Sequence, residues 1–154
     1  MDTQIVELIG KQYLTAALLR AGLEVAIPIR DRGVALIAYA EVDRRLTKFV
    51  SRPIQMKAAM RRSFSVNAKY ARVRHLLIAY VWELHDPSQT VIYALTYQES
   101  LSIAKSLGWT STASWKRGAY STSKPSAEIV SLLKPYLMTP ESWWQKIADS
   151  QNEL

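Results

Sequence analysis

Two polar residues stand two positions apart in a stretch that otherwise reads as a buried strand. Gln55 and Lys57 occupy places in residues 49–59 where such a strand would carry Val or Ile. Strand side chains alternate between the two faces, so the amide and the ammonium group point the same way. If this strand and the apolar run before it form a hairpin that turns near Arg45, position 35 lies opposite position 55. One would look for a carboxylate at that position, but the residue there is Ala35.

A lysine on a buried strand needs a physical reason. Lys is among the residues least often fully buried, and an unpaired ammonium group in a core costs roughly several kcal/mol or loses its proton. Lys57 therefore reaches the edge of the sheet as a snorkelling side chain, pairs with an acid, or sits in a functional cleft. The Gln-x-Lys spacing alone does not separate these alternatives, because any chain contains several such matches.

Length and composition set the class of protein. The chain has 154 residues, a net charge of +7 and no cysteine. This length predicts one domain that can bury a core unaided. The lack of cysteine excludes disulfides, thiolate metal ligands and a thiol nucleophile. Together with an acidic N-terminus unlike a signal peptide, it predicts an intracellular, cytoplasmic protein. The longest apolar run, residues 76–82, is too short to span a membrane, so no membrane partner is expected.

The positive charge is concentrated in one part of the chain. Half of the 20 Lys and Arg residues fall between Arg44 and Arg74, where there is no Asp or Glu. A polyanion is the natural partner of such a stretch, through neutralised phosphates and released counterions. The alternative is a solvated basic face without a ligand.

Eight residues are nominated for contact with DNA. One set follows the Gln-x-Lys strand directly, and the other is an aromatic and cationic loop that could touch phosphates or stack a base. They are Arg61, Arg62, Lys69, Arg72 and Arg74 in the first set, and Trp115, Lys116 and Arg117 in the second. The alternative for Trp115 is a loop side chain that covers the core.

Periodicity and turn signals predict one α/β domain with a mixed sheet, in the order α-β-β-β-(α)-β-β-α-α. Strands are expected at residues 23–29, 33–40, 49–59, 76–84 and 90–97, with a short strand and a helical turn between 60 and 75. Helices are expected at 3–21, 98–107 and 126–137, where Pro135 should kink or end the last of these. Residues 110–126, rich in Ser and Thr, are expected to form a loop. A final helix should begin at Thr139 and Pro140, a capping residue and a favoured first position.

The arrangement of helix, strand, G-V-A-L-I-A at residues 33–38 and I-Q-M-K-A at residues 54–58 resembles the PD-(D/E)XK nuclease superfamily. The chain looks most like its small Holliday-junction-resolvase-type and Mrr-like restriction branch. The resemblance covers residues 3–60 and extends through the elements to about residue 107. It implies a restriction-endonuclease-like mixed sheet flanked by helices, with residues 108–154 as a C-terminal extension that adds further helices to the single domain.

The resemblance implies a DNA endonuclease that hydrolyses phosphodiesters with Mg²⁺ or Mn²⁺. In that family an Asp near the start of the second strand and an acid in (D/E)-x-K hold the metal, and several branches have Gln in place of the second acid. Carried over, the metal ligands would be the Gln55 amide oxygen, the Met56 backbone carbonyl and an acid at position 35. Lys57 would orient the attacking water or neutralise developing charge. The family Asp maps to Ala35, so we expect weak or absent metal binding and very low activity.

A further acid often lies in the first helix of the family. Glu7 is the acid of the predicted first helix that could take this place, as a fourth metal ligand. The alternative is an exposed side chain that pairs with Lys11 one turn later.

Ala35 admits two explanations. The chain is either a natural member that lost its metal site and kept the fold for binding, or a form with a deliberate Asp-to-Ala change that blocks cleavage. We favour the second, because Gln55, Lys57 and the basic surround would otherwise have little reason to persist together.

Two other functions remain open at this point, a non-catalytic nucleic-acid-binding module on the same fold and a protein-interaction domain with a basic face. The expected partner is DNA, including branched or foreign DNA. Enzymes of this type often dimerise to cut two strands, which makes a homodimer compatible with the resemblance.

Overall fold

The computed structural model describes residues 1–40 and 47–148 and has a mixed α/β architecture. The helices are α1 (Thr3–Arg20), α2 (Tyr97–Ser106), α3 (Ala113–Lys116), α4 (Ala127–Leu133) and α5 (Pro140–Ala148). The strands are β1 (Glu24–Ala26), β2 (Leu36–Ala40), β3 (Val50–Ala58), β4 (Phe64–Asn67), β5 (Leu77–Trp82), β6 (Val91–Thr96) and β7 (Ala119–Thr122). Short 3-10 turns span Ala68–Arg72, Trp109–Ser111 and Lys134–Tyr136. In the two described ranges, no helix combines the length and the hydropathy needed to cross a membrane.

A five-stranded sheet in the order β1-β2-β3-β5-β6 forms the centre of the fold. Strand β3 pairs antiparallel with β2 on one side and parallel with β5 on the other, which makes the sheet mixed. Strands β4 and β7 form a separate two-stranded antiparallel sheet. The sequence-based expectation of a mixed sheet flanked by helices is therefore confirmed.

The hairpin of β2 and β3 has the register expected from the sequence. Leu36 lies opposite Ile54 and Ala40 opposite Val50. Continued by one position, this register sets Ala35 across from Gln55, and the Ala35 N–H donates to the Ile54 carbonyl at 2.9 Å. The turn expected near Arg45 lies outside the described residues.

The two faces of the sheet bury two hydrophobic cores. Every residue of β5 is buried, and because strand side chains alternate, Leu77, Ala79 and Val81 enter one core while Ile78, Tyr80 and Trp82 enter the other. The first core is closed by α1 and α5. The second core is closed by α2, α4 and the β4–β7 pair.

The segment expected to be a Ser- and Thr-rich loop is instead partly regular, and this expectation was wrong. Residues 110–126 contain α3 and β7. The Thr112 hydroxyl accepts a hydrogen bond from the Trp115 N–H at 3.1 Å and so caps α3. Tyr120 on β7 packs against Trp109, with ring centroids 4.2 Å apart. The Ser and Thr residues of this segment thus cap helices and contribute to β7 rather than forming an irregular loop.

The two helix boundaries predicted near the C-terminus are confirmed. Helix α4 ends at Leu133, and Pro135 lies in the 3-10 turn that follows. Helix α5 begins at Pro140, and the Thr139 hydroxyl accepts from the Ser142 N–H at 3.2 Å.

Gly10 allows α1 to lie unusually close to β3. A Cβ atom on Gly10 would be 2.7 Å from the Ala58 Cβ and 3.2 Å from the Met56 sulfur. Real Cβ atoms do not approach each other that closely, so only glycine fits at this crossing. The crossing brings the N-terminal half of α1 beside the last residues of β3, where Gln55 and Lys57 lie.

We expect Gly10→Ala to destabilise the protein, because the Cβ of Ala58 can move only with the main chain of β3. The free energy of unfolding, measured by urea denaturation, should fall by about 1–3 kcal/mol, as for other overpacked sites. The higher helix propensity of Ala should offset this only in part.

The control is the same change in a protein that already carries Ala58→Gly. Removing the opposing methyl group should make the cost of Gly10→Ala clearly smaller. An equal cost in both backgrounds would show that the close approach does not limit this position.

Candidate functional site

A cavity of about 370 Å³ opens at the end of the hairpin where β2 begins and β3 ends. Four parts of the chain build its wall: α1, the segment before β2, the end of β3 and the region of β4. The chemical groups on this wall are mixed, because it carries carboxylates, ammonium groups, two amides and hydroxyls.

The structure brings the residues proposed for catalysis and metal binding to this one cavity. Ala35, Gln55, Met56 and Lys57 all line it, together with Glu7 from α1. Ala35 is only 4% exposed, so its methyl group forms part of the inner wall. Ala35, not an acid, therefore lies across from Gln55, as the hairpin register predicts.

Lys57 contacts an aromatic ring rather than a carboxylate. Its Nζ atom lies 5.1 Å from the centroid of the Tyr70 ring, within the range of a cation–π interaction. In the described part of the chain, no Asp or Glu forms an ion pair with Lys57. Of the three alternatives for this lysine, the ion pair is not found among the described residues, and Lys57 lines the cavity beside Tyr70.

Tyr70 is a residue of this region that sequence reasoning missed. Its side chain is 3% exposed. Burial acts to raise the pKa of the Tyr70 phenol, but hydrogen bonds with Lys57 and Gln55 and the charges of Lys57 and Lys69 outweigh it, so the pKa lies below its usual value. No local pattern marks this tyrosine, because its partners on β3 are distant in sequence.

Asp31 is a second residue that sequence reasoning left in a turn. It lines the cavity together with Glu7 and Lys11. Its Oδ1 atom accepts a hydrogen bond from the Gly33 N–H at 3.0 Å, the usual arrangement of an Asx turn. The sequence feature that could have indicated a place for Asp31 at the cavity was its position four residues before Ala35.

The oxygen donors present in this cavity do not fit a magnesium ion. Mg²⁺ requires near-octahedral oxygen ligands. Position 35 offers a methyl group, and the Gln55 Oε1 atom already accepts from the Met56 N–H at 3.0 Å. Glu7 and Asp31 are exposed. Within residues 1–40 and 47–148, no three His, Cys, Asp or Glu side chains come together in a way that could hold a metal.

The nominated basic residues after β3 differ in their surroundings. The Arg62 Nε donates to Glu83 Oε1 at 2.6 Å, and Glu83 is largely buried, so Arg62 is partly committed to an ion pair. Arg61, Arg72 and Arg74 are exposed. Lys69 is also exposed, and its Nζ lies 5.2 Å from the Tyr70 ring centroid, the same ring that Lys57 contacts.

In the second basic set, Trp115 and Lys116 lie on helix α3 and Arg117 is its C-cap, so the set does not lie in an irregular loop. Trp115 belongs to α3 and packs, partly buried, against the second core. Lys116 and Arg117 are exposed. The structure therefore gives Trp115 the role of covering the core, and places the two cations at the surface beside it.

Comparisons of the chain with models of protein families, with curated proteins and with solved structures give no match. A function must therefore be inferred from the side chains that converge on the cavity. The central ones are the Gln55 amide, the Lys57 ammonium group against the buried Tyr70 phenol, and the Ala35 methyl group across from Gln55.

Proposed function

We propose that this chain is a DNA-binding domain of the PD-(D/E)XK nuclease type. With an acid at position 35, such a domain would be a Mg²⁺- or Mn²⁺-dependent endonuclease. Ala35 lacks the carboxylate that would bind the metal. The observation that supports this is the convergence of Ala35, Gln55 and Lys57 on one cavity. The antiparallel β2–β3 hairpin and the parallel β3–β5 pair, with α1 against β3, suit a restriction-endonuclease-like sheet.

The chain's own groups can bind and orient a phosphodiester. The Lys57 ammonium group lines the cavity and suits a phosphate oxygen, with which it would form a charge-assisted hydrogen bond. Ser63 and Ser65 line the same cavity, and serine hydroxyls commonly contact phosphates. The exposed arginines that follow β3 would contact neighbouring phosphates and fix the position of the duplex.

The single missing group explains why hydrolysis should be absent. Ala35 is buried across from Gln55, so an aspartate at this position would direct a carboxylate toward the amide and the ammonium group. Without it, the cavity keeps a binding group for phosphate but has no carboxylate beside Gln55, and its remaining carboxylates, those of Glu7 and Asp31, are exposed.

We expect Ala35→Asp to produce cleavage of plasmid or branched DNA in the presence of Mg²⁺ or Mn²⁺. The rate should exceed that of the parent protein by at least about 100-fold, since stabilisation of charge at the reacting centre is worth this much or more. Gel assays with each metal, and with a chelator, would measure it.

The matched control is Ala35→Asn, which has nearly the same shape and no charge, and should remain inactive. Adding Lys57→Met to Ala35→Asp should abolish the gained activity. A folded Ala35→Asp protein that cleaves no substrate would overturn the nuclease assignment.

A second candidate is a non-catalytic nucleic-acid-binding module on the same fold. The poor fit of the cavity's donors to Mg²⁺ favours it. It predicts salt-sensitive DNA binding with no cleavage after the Ala35→Asp change, so the same assay separates the two candidates.

DNA affinity should fall steeply with salt in either case. The slope of log affinity against log salt concentration should be about −0.9 for each phosphate contact. Arg61→Gln should reduce this slope by about one contact, whereas Arg62→Gln should reduce it less, because Arg62 is held by Glu83. Filter binding at several salt concentrations would measure both, and a slope near zero would instead favour a protein partner for the basic face.

A further inference from the structure

The phenol of Tyr70 lies behind Lys57 without lining the cavity. It therefore does not touch a ligand in the cavity directly, and any role it has there must act through Lys57 or Gln55. Both of these residues line the cavity.

We propose that Tyr70 is a positioning residue that holds the Lys57 ammonium group at the cavity wall, ready to meet a DNA phosphate. This inference rests on the proposed function, since a phosphate is the group that Lys57 would meet. The contact between Tyr70 and Lys57 can nevertheless be tested independently of any cleavage.

The position of Tyr70 is fixed by its own backbone. It lies in the 3-10 turn after β4, where the Asn67 side chain accepts from the Lys69 N–H at 3.0 Å. The Ala68 N–H donates to the Gly118 carbonyl at 2.8 Å, and the Val73 N–H donates to the Tyr70 carbonyl at 3.2 Å. The turn is thus tied to the strand that follows α3 as well as to itself.

The ring of Tyr70 is equally constrained by packing. It belongs to the second core, with Ile78 and Tyr80 of β5 in the same cluster. A free lysine side chain loses rotamer entropy when it is held in one place. A rigid ring that attracts the ammonium group reduces the entropy that Lys57 loses when it is positioned against the charge that develops on a phosphate in the transition state.

The electrostatic surroundings support the same role. The face of an aromatic ring attracts cations, and Lys57 and Lys69 both approach Tyr70. Tyr70 is buried, so the Lys57 Nζ, 5.1 Å from the ring centroid, meets a ring that packing holds in place. Lys69 is exposed, whereas Lys57 lines the cavity, so Lys57 is the cation that the ring would hold for a ligand.

The first experiment uses the protein as it is, with ¹³C-labelled tyrosine rings followed by NMR against pH. The Tyr70 signal is assigned as the one lost in Tyr70→Phe. We expect Lys57→Met to raise the pKa of Tyr70, because it removes a hydrogen bond and a positive charge. Lys69→Met is the matched control and should raise the pKa less. An unchanged pKa in Lys57→Met, or an equal change in the two variants, would overturn the positioning role.

The second experiment measures Tyr70→Phe in the Ala35→Asp protein. Loss of the phenol oxygen should lower kcat by about 10- to 100-fold, as expected when a reacting group is misplaced, with KM changed by about twofold or less. The control is Tyr136→Phe, because the ring of Tyr136 also faces a lysine, Lys146, at 5.5 Å. This control should leave kcat and KM unchanged.

The outcomes separate the two proposals. Cleavage by Ala35→Asp with no effect of Tyr70→Phe on kcat would overturn the inference and leave the proposed function standing. No cleavage by Ala35→Asp would overturn the nuclease assignment, and the NMR titration would still decide whether Tyr70 holds Lys57.

Discussion

The alternation of side chains along strand β3 determines how the residues of the candidate site are arranged. Strand β3 is paired on both sides, with β2 antiparallel and β5 parallel, so it cannot slip without breaking two ladders. Its even-numbered residues Met56 and Ala58 meet α1 at Gly10. Its odd-numbered residues Gln55 and Lys57 are then forced to the other side, toward Tyr70. The site is a direct consequence of this register.

The wall of the cavity carries the Lys57 ammonium group and has a methyl group, that of Ala35, across from Gln55. An ammonium group that is half buried needs compensation, which a carboxylate would normally provide. Here the compensation comes from the Tyr70 ring and phenol oxygen and from the opening of the cavity to solvent. Among residues 1–40 and 47–148, no carboxylate forms an ion pair with Lys57.

The sequence predicted local and strongly patterned features well. The hairpin register follows from two apolar runs placed on either side of a turn near Arg45, and the start of α5 follows from Thr139 and Pro140, whose effects are confined to one turn. The short strand expected between residues 60 and 75 is β4, but its pairing with β7 could not be predicted, because Phe64 and Thr122 are distant in sequence and β7 lies in a segment rich in Ser and Thr. Tyr70 and Asp31 were missed for a related reason, since their positions at the cavity depend on tertiary packing.

The pairing of β4 with β7 also has a consequence for how the chain folds. The second core, which includes Phe64 and Tyr80, is covered by residues that the ribosome makes much later, among them Tyr120 and Ile129. During synthesis, aromatic side chains of the first half of the chain therefore stay exposed to solvent until the later residues have been made. Such exposure favours aggregation and the binding of chaperones. Contacts between residues that are distant in sequence also slow folding, because the chain between them loses entropy before the contacts form.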